Sequence, residues 1–211
     1  MRLNSLSISI LILLLAIIYL GLLERVLERM RLTRKQALII LLAMVLGSGL
    51  PVVPLFAGLR VSLGGMLVPF GVVVYLIATA DQREEKVRSF IAIAVTIIVV
   101  WIIDRLLPLE PGLFFLDIDP LYLPALVAAA VAYVLGRSRR ASFIGAFMGV
   151  LFIDLIAWGE NFLRGFGEVA VILGGGGVFG AAALSGVLAV LLAEAVGEIR
   201  ERLHRGQGNI S

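Results

Sequence analysis

Residues 137–166 read RSRRASFIGAFMGVLFIDLIAWGENFLRGF. Arg137, Arg139 and Arg140 precede an apolar run over residues 141–158, and a mixed loop with Glu160 and Arg164 follows it. A run of this length suits a helix crossing the hydrocarbon of a bilayer, which takes about 20 apolar residues. The same arrangement recurs along the chain. Seven apolar stretches can be drawn, over residues 6–23, 37–57, 63–80, 89–103, 121–136, 141–158 and 169–195. Of the 18 Lys and Arg residues, 14 fall in every second connection, the alternation produced when basic loops stay in the cytoplasm. The assigned cytoplasmic connections carry a net +6 and the external ones −2. This places the N-terminus outside and the C-terminus inside.

Composition points the same way. The chain is 61% hydrophobic and 16% charged, with a mean hydropathy of +1.08, too apolar to coat a soluble globule of 211 residues. The expected fold is all-α: a polytopic transmembrane bundle of about seven spans in a cell (cytoplasmic) membrane. Near-continuous Leu, Ile, Ala and Val runs exclude the alternation of a membrane β-barrel. One integral domain over residues 1–211 is expected, with residues 1–5 external, 6–195 the bundle and 196–211 a basic cytoplasmic tail. In the first stretch charge follows the apolar run, as Arg25, Arg29, Arg31, Arg34 and Lys35. A secretory signal has the reverse order, so this stretch reads as a retained span.

Small residues recur every fourth position in the last stretch: Gly177, Ala181, Ser185, Ala189, Ala193 and Gly197. Lipid offers little hydrophobic drive between helices, so close approach over small side chains supplies the packing. Ala141, Gly145 and Gly149 offer a matching surface, and spans 6 and 7 are expected to pack there as an antiparallel hairpin. Three spans are interrupted. Span 2 contains Gly47, Ser48, Gly49, Leu50 and Pro51, then Pro54; span 3 opens with Gly64 and Gly65 before Pro69; span 7 contains Gly174, Gly175, Gly176 and Gly177. Proline removes a donor and glycine loosens the backbone, so each site can unwind. Unwound backbone in a membrane must be covered by protein or face water. All three interruptions fall in the expected outer half, where they would share a cavity or a packing node.

Asp154 is the one ionisable residue well inside an apolar span, roughly 6 Å below the outer end of span 6 at 1.5 Å per residue. A carboxylate at a helix centre costs about 2.5–3.5 kcal/mol to insert and marks a pathway, a relay or a hydrogen-bonded partner. The candidate site for a solute or ion is therefore Asp154 with Gly174, Gly175, Gly176, Gly177, Ser48, Gly49 and Pro51; a purely structural Asp154 is the alternative. Asp104 reads as a helix terminator, and Asp117 with Asp119 as a solvated turn before Pro120. His204, the lone histidine, stands in the basic tail without a second ligand, so no metal site is expected, and no Ser/His/Asp triad can form. No cofactor is expected. The run over residues 174–180 lacks the Lys-Ser/Thr ending of a phosphate loop. With no Cys, disulfides and thiol chemistry are excluded.

Residues 145–156 (GAFMGVLFIDLI), residues 174–193 (GGGGVFGAAALSGVLAVLLA) and, more loosely, residues 63–75 resemble the domain of unknown function 1614 family of bacterial and archaeal membrane proteins. The resemblance implies a multi-span membrane protein without an established activity. The family's glycine-rich motif reads close to G-G-A-G-T-F-D-G, with an acid after the Phe, whereas here Phe179 is followed by Gly180. That departure removes a second buried acid, and an intramembrane aspartic protease needs two carboxylates to share its general acid and base work.

The leading functional expectation is binding or transport of a small solute or ion through an outer-half cavity near Asp154, since broken helices beside an intramembrane acid recur in transporters. Seven spans do not divide into two inverted repeats, which counts against the commonest transporter plans. The rival is a membrane scaffold or assembly factor whose small-residue faces dock another subunit. The expected partners are the lipid bilayer, a small solute or ion, and a membrane partner or second copy of the chain, with no nucleic acid. The third reading is an intramembrane aspartic protease-like protein that lacks its second buried acid, so the sequence leans against catalysis without deciding it.

Overall fold

The computed structural model describes residues 5–80, 82–106, 122–166 and 169–208. Glu110, Asp117, Asp119 and Glu168 lie outside them, as does most of the expected external N-terminus. The helical class holds. Seven α-helices run in order: α1 (Ser5–Arg29), α2 (Arg34–Ser48), α3 (Val68–Ala78), α4 (Arg83–Leu106), α5 (Leu123–Gly136), α6 (Arg139–Leu163) and α7 (Ala181–Gly208). Among the described residues α4, α6 and residues Ala181–Ile199 of α7 are long and apolar enough to cross a membrane; Leu63–Ala78 and Leu123–Gly136 are apolar but shorter.

Two compact units divide the chain at residue 42. In the first, Arg31 takes a left-handed φ of 66° that ends α1. Thr33 and Gln36 then cap α2 reciprocally: the Gln36 amide donates to Thr33 Oγ1 at 3.3 Å, and Gln36 Oε1 accepts from the Thr33 amide at 2.9 Å. Arg34 lies 3.5 Å from Glu24, bracing the turn.

The second unit shows why spans 2 and 7 are shorter than the apolar runs that announce them. α2 stops at Ser48 instead of continuing to residue 57, because Gly49 opens a turn and Pro51 cannot extend the helix. The chain then forms a hairpin, β1 (Val53–Phe56) and β2 (Leu59–Val61), around Ala57 and Gly58 with φ of 38° and 80°, the positive pair that a tight two-residue hairpin turn requires. β3 (Val171–Leu173) pairs parallel to β2, with Leu59 opposite Val171 and Val61 opposite Leu173. This three-stranded sheet, order β1-β2-β3, is the one departure from an all-helical fold among the described residues. α7 begins only at Ala181, after the glycine run, rather than at residue 169. α4, by contrast, extends beyond residues 89–103 at both ends.

The small residues of α6 meet neighbours other than those expected. A Cβ at Gly145 would lie 2.7 Å from the Ala92 side chain and 3.1 Å from that of Ala132, and one at Gly149 would strike Thr96. Gly145 thus faces α4 and α5, and Gly149 faces α4; α6 and α7 do pack together, but over other residues. On α7, Ala189 packs with Ala129, Ala132 and Ala146 in a four-alanine cluster, Ser185 is buried, and Gly186 lies against the Phe143 ring. Which face of a helix is small can be read from spacing, but the helix that fills it depends on tertiary placement.

Thr96 is fully buried and its hydroxyl has no hydrogen-bond partner. Thr96→Val keeps the branched shape beside Gly149 and removes an unsatisfied group. Its thermal midpoint is expected to equal or exceed the wild type, by up to about 1 kcal/mol of stability. A clear loss would show that the hydroxyl has a partner.

Candidate functional site

The three glycine interruptions converge at one end of the second unit. Ser62 starts the approach: its amide donates to the Leu173 carbonyl at 3.1 Å, and its Oγ accepts from the Gly65 amide at 3.2 Å. That cap shapes a one-turn π-helix, Leu63–Leu67, which leads into α3 with Pro69 in its first turn. Gly64 passes against Met44 and Ser48 at the end of α2, while Gly65 passes against the backbone of Gly174 and Gly177. Ser48 joins the third segment, donating to the Met44 carbonyl at 2.7 Å and accepting from the Val178 amide at 3.2 Å. Backbone exposed by unwinding is thus covered by other unwound backbone.

The glycine run itself is a turn. Gly174, Gly176 and Gly177 all have positive φ, and the Gly175 amide donates to Ile172 at 3.0 Å. A 3₁₀ turn, Gly177–Phe179, delivers the chain to α7. α6 brings Asp154, half-buried, to the other side of this turn, where its carboxylate faces Gly174. Between them lies a cavity of about 290 Å³, lined by Asp154, Gly174, Gly175 and Gly176, by Ala181 and Ala182 in the first turn of α7, and by Tyr122, Ile172 and Phe179. Helix N-termini carry unsatisfied amides and partial positive charge, so the first turn of α7 complements the carboxylate.

The residues singled out in the sequence divide into two groups. Asp154, Gly174, Gly175 and Gly176 share the cavity, with Ala181 at its wall. Gly177 and Ser48 touch each other in the backbone knot beside it. Gly49 and Pro51 are exposed and do not line the cavity, so they leave the candidate site. Tyr122, Ile172 and Phe179 carry no sequence signal as wall residues, because nothing in an apolar run distinguishes a cavity wall from a lipid-facing position. Trp158 carried a readable polar handle: its Nε1 donates to the Ala57 carbonyl at 2.9 Å, and its ring lies 6.4 Å from Phe56, tying the hairpin to α6. Nearby, Glu160 pairs with Arg105 and lies 3.8 Å from Arg164. No group of three His, Cys, Asp or Glu residues able to hold a metal occurs among the described residues.

A family model described as "Protein of unknown function (DUF1614)" matches residues 13–192. No curated protein and no solved structure matches the chain.

Proposed function

Starting from a chain that belongs to the DUF1614 family, which assigns it no chemistry, we propose a multi-pass protein of the cell membrane whose cavity at Asp154 binds or passes a small solute or ion. The observation that carries this reading is the carboxylate of Asp154 set in a cavity whose opposite wall is unwound backbone and the start of α7. Freed backbone groups, a half-helix end and one acid are the parts from which transporters build sites near the membrane interior. The rival scaffold has less surface to offer: Gly145, Gly149, Ser185 and Ala189 are buried within the chain's own packing.

The chain has no Cys, so single-Cys variants need no background removal. Phe179→Cys, at the cavity wall, should react with a water-soluble thiosulfonate added to intact cells. Failure to react while the denatured protein reacts fully would remove the solvent path and the function with it.

The same chemistry tests the topology, which rests on the alternation of basic loops. Arg60→Cys, on β2, should be labelled by a membrane-impermeant maleimide in intact cells. Arg83→Cys, at the start of α4, should be labelled only after lysis. The opposite pattern at both positions would reverse the orientation.

A further inference from the structure

The cavity wall discriminates among ligand classes, and the discrimination rests on the solute-binding reading above. Among the described residues that line it, the ionisable side chains are Asp154 and the Tyr122 phenol, with no Lys, Arg or His. An anionic solute would face the Asp154 carboxylate with no basic side chain among the described lining residues to offset it. A bare divalent cation calls for about six or more converging oxygens in the case of calcium, or a near-octahedral set for magnesium, and the described lining residues supply one carboxylate. A sugar-like polyol needs several polar side chains to replace its water, and the described lining residues offer two, Asp154 and the Tyr122 hydroxyl, beside glycine backbone.

What remains fits the lining. Tyr122 and Phe179 contribute aromatic rings, Ile172, Ala181 and Ala182 contribute aliphatic surface, and the rest is glycine backbone. A carboxylate with aromatic neighbours suits a cation that carries its own apolar groups, through an ion pair on one side and ring faces on the other. At about 30 Å³ for each water, a volume of about 290 Å³ holds fewer than about ten heavy atoms. We infer that the Asp154 cavity recognises a small organic cation, of the alkylammonium class, with Asp154 as counter-ion and Tyr122 and Phe179 as the aromatic walls.

Tetramethylammonium chloride is the probe, with sodium chloride at equal ionic strength and tert-butanol, a neutral molecule of similar shape, as comparisons. Thermal unfolding of the purified full chain is followed in detergent. Tetramethylammonium should raise the midpoint in a saturable way, with sodium and tert-butanol inert, because only a ligand favouring the folded state shifts it. Phe179→Leu keeps the apolar bulk and should weaken the apparent affinity about tenfold, and Asp154→Asn should abolish the shift. An equal shift by sodium, an equal shift by tert-butanol, an undiminished shift in Asp154→Asn, or no shift with any probe would each overturn the inference. If Phe179→Cys still reacts from water in those cases, the solute cavity stands and only its ligand class is wrong.

Discussion

Gly65→Ala is expected to abolish accumulation of folded protein, whereas Gly71→Ala, the same substitution six residues later, should leave it intact or slightly stabilised. A methyl at Gly65 would collide with the Gly174 carbonyl oxygen and lie 2.7 Å from Gly177 Cα. Both obstacles are backbone, so no rotamer change relieves them. Separating the segments would strain the adjacent β2–β3 pairing and displace Gly174 from Asp154. Overpacking a yielding core costs about 1–3 kcal/mol, and a backbone clash in a three-segment knot should exceed that range. Gly71, inside α3, has nothing within 4 Å of a built Cβ, and helix propensity favours Ala there by about 1 kcal/mol. Fluorescence-detected size exclusion of tagged variants reads the contrast. A monodisperse Gly65→Ala protein with a wild-type midpoint would show that the three interruptions do not pack as described.

The apolar runs and the Gly/Pro interruptions were legible because both follow from local chemistry: burial in lipid selects the first, and loss of helical hydrogen bonding produces the second. That the interruptions meet was also open to inference, since unwound backbone needs cover wherever lipid would otherwise touch it. The sheet was not legible. β2 and β3 have three residues each, and β1 contains Pro54, so they are too short to show a period of two and lie within runs that read as membrane span. The parallel pairing of β2 with β3 joins segments about 110 residues apart, and no spacing rule connects them. The partners of Gly145 and Gly149 failed for a related reason: a small-residue face states that something approaches closely, and in a multi-helix bundle several helices can do so. Asp154 stood out by its charge, whereas Tyr122 and Phe179 acquire meaning only when the turn at Gly174 folds back across α6.

Asp154→Asn and Asp154→Leu should fail in different ways, and the difference separates binding from architecture. Asn keeps the shape of Asp and an oxygen that can accept from backbone donors of the turn, so Asp154→Asn should fold with a midpoint near the wild type. Its net charge is gone, however, so every response that depends on a cation or proton at the cavity should go with it. Leu accepts no hydrogen bond. Asp154→Leu sets an apolar side chain against the backbone of the Gly174 turn, and the midpoint should fall. If Asp154 served only to hold the glycine turn, Asp154→Asn would be silent in every functional readout and Asp154→Leu alone would have a phenotype. The test therefore compares unfolding midpoints with ligand-dependent shifts in both variants. A carboxylate maintained beside apolar walls and backbone donors, when an amide would hold the same turn at lower insertion cost, is the physical reason to expect the charge itself to be used.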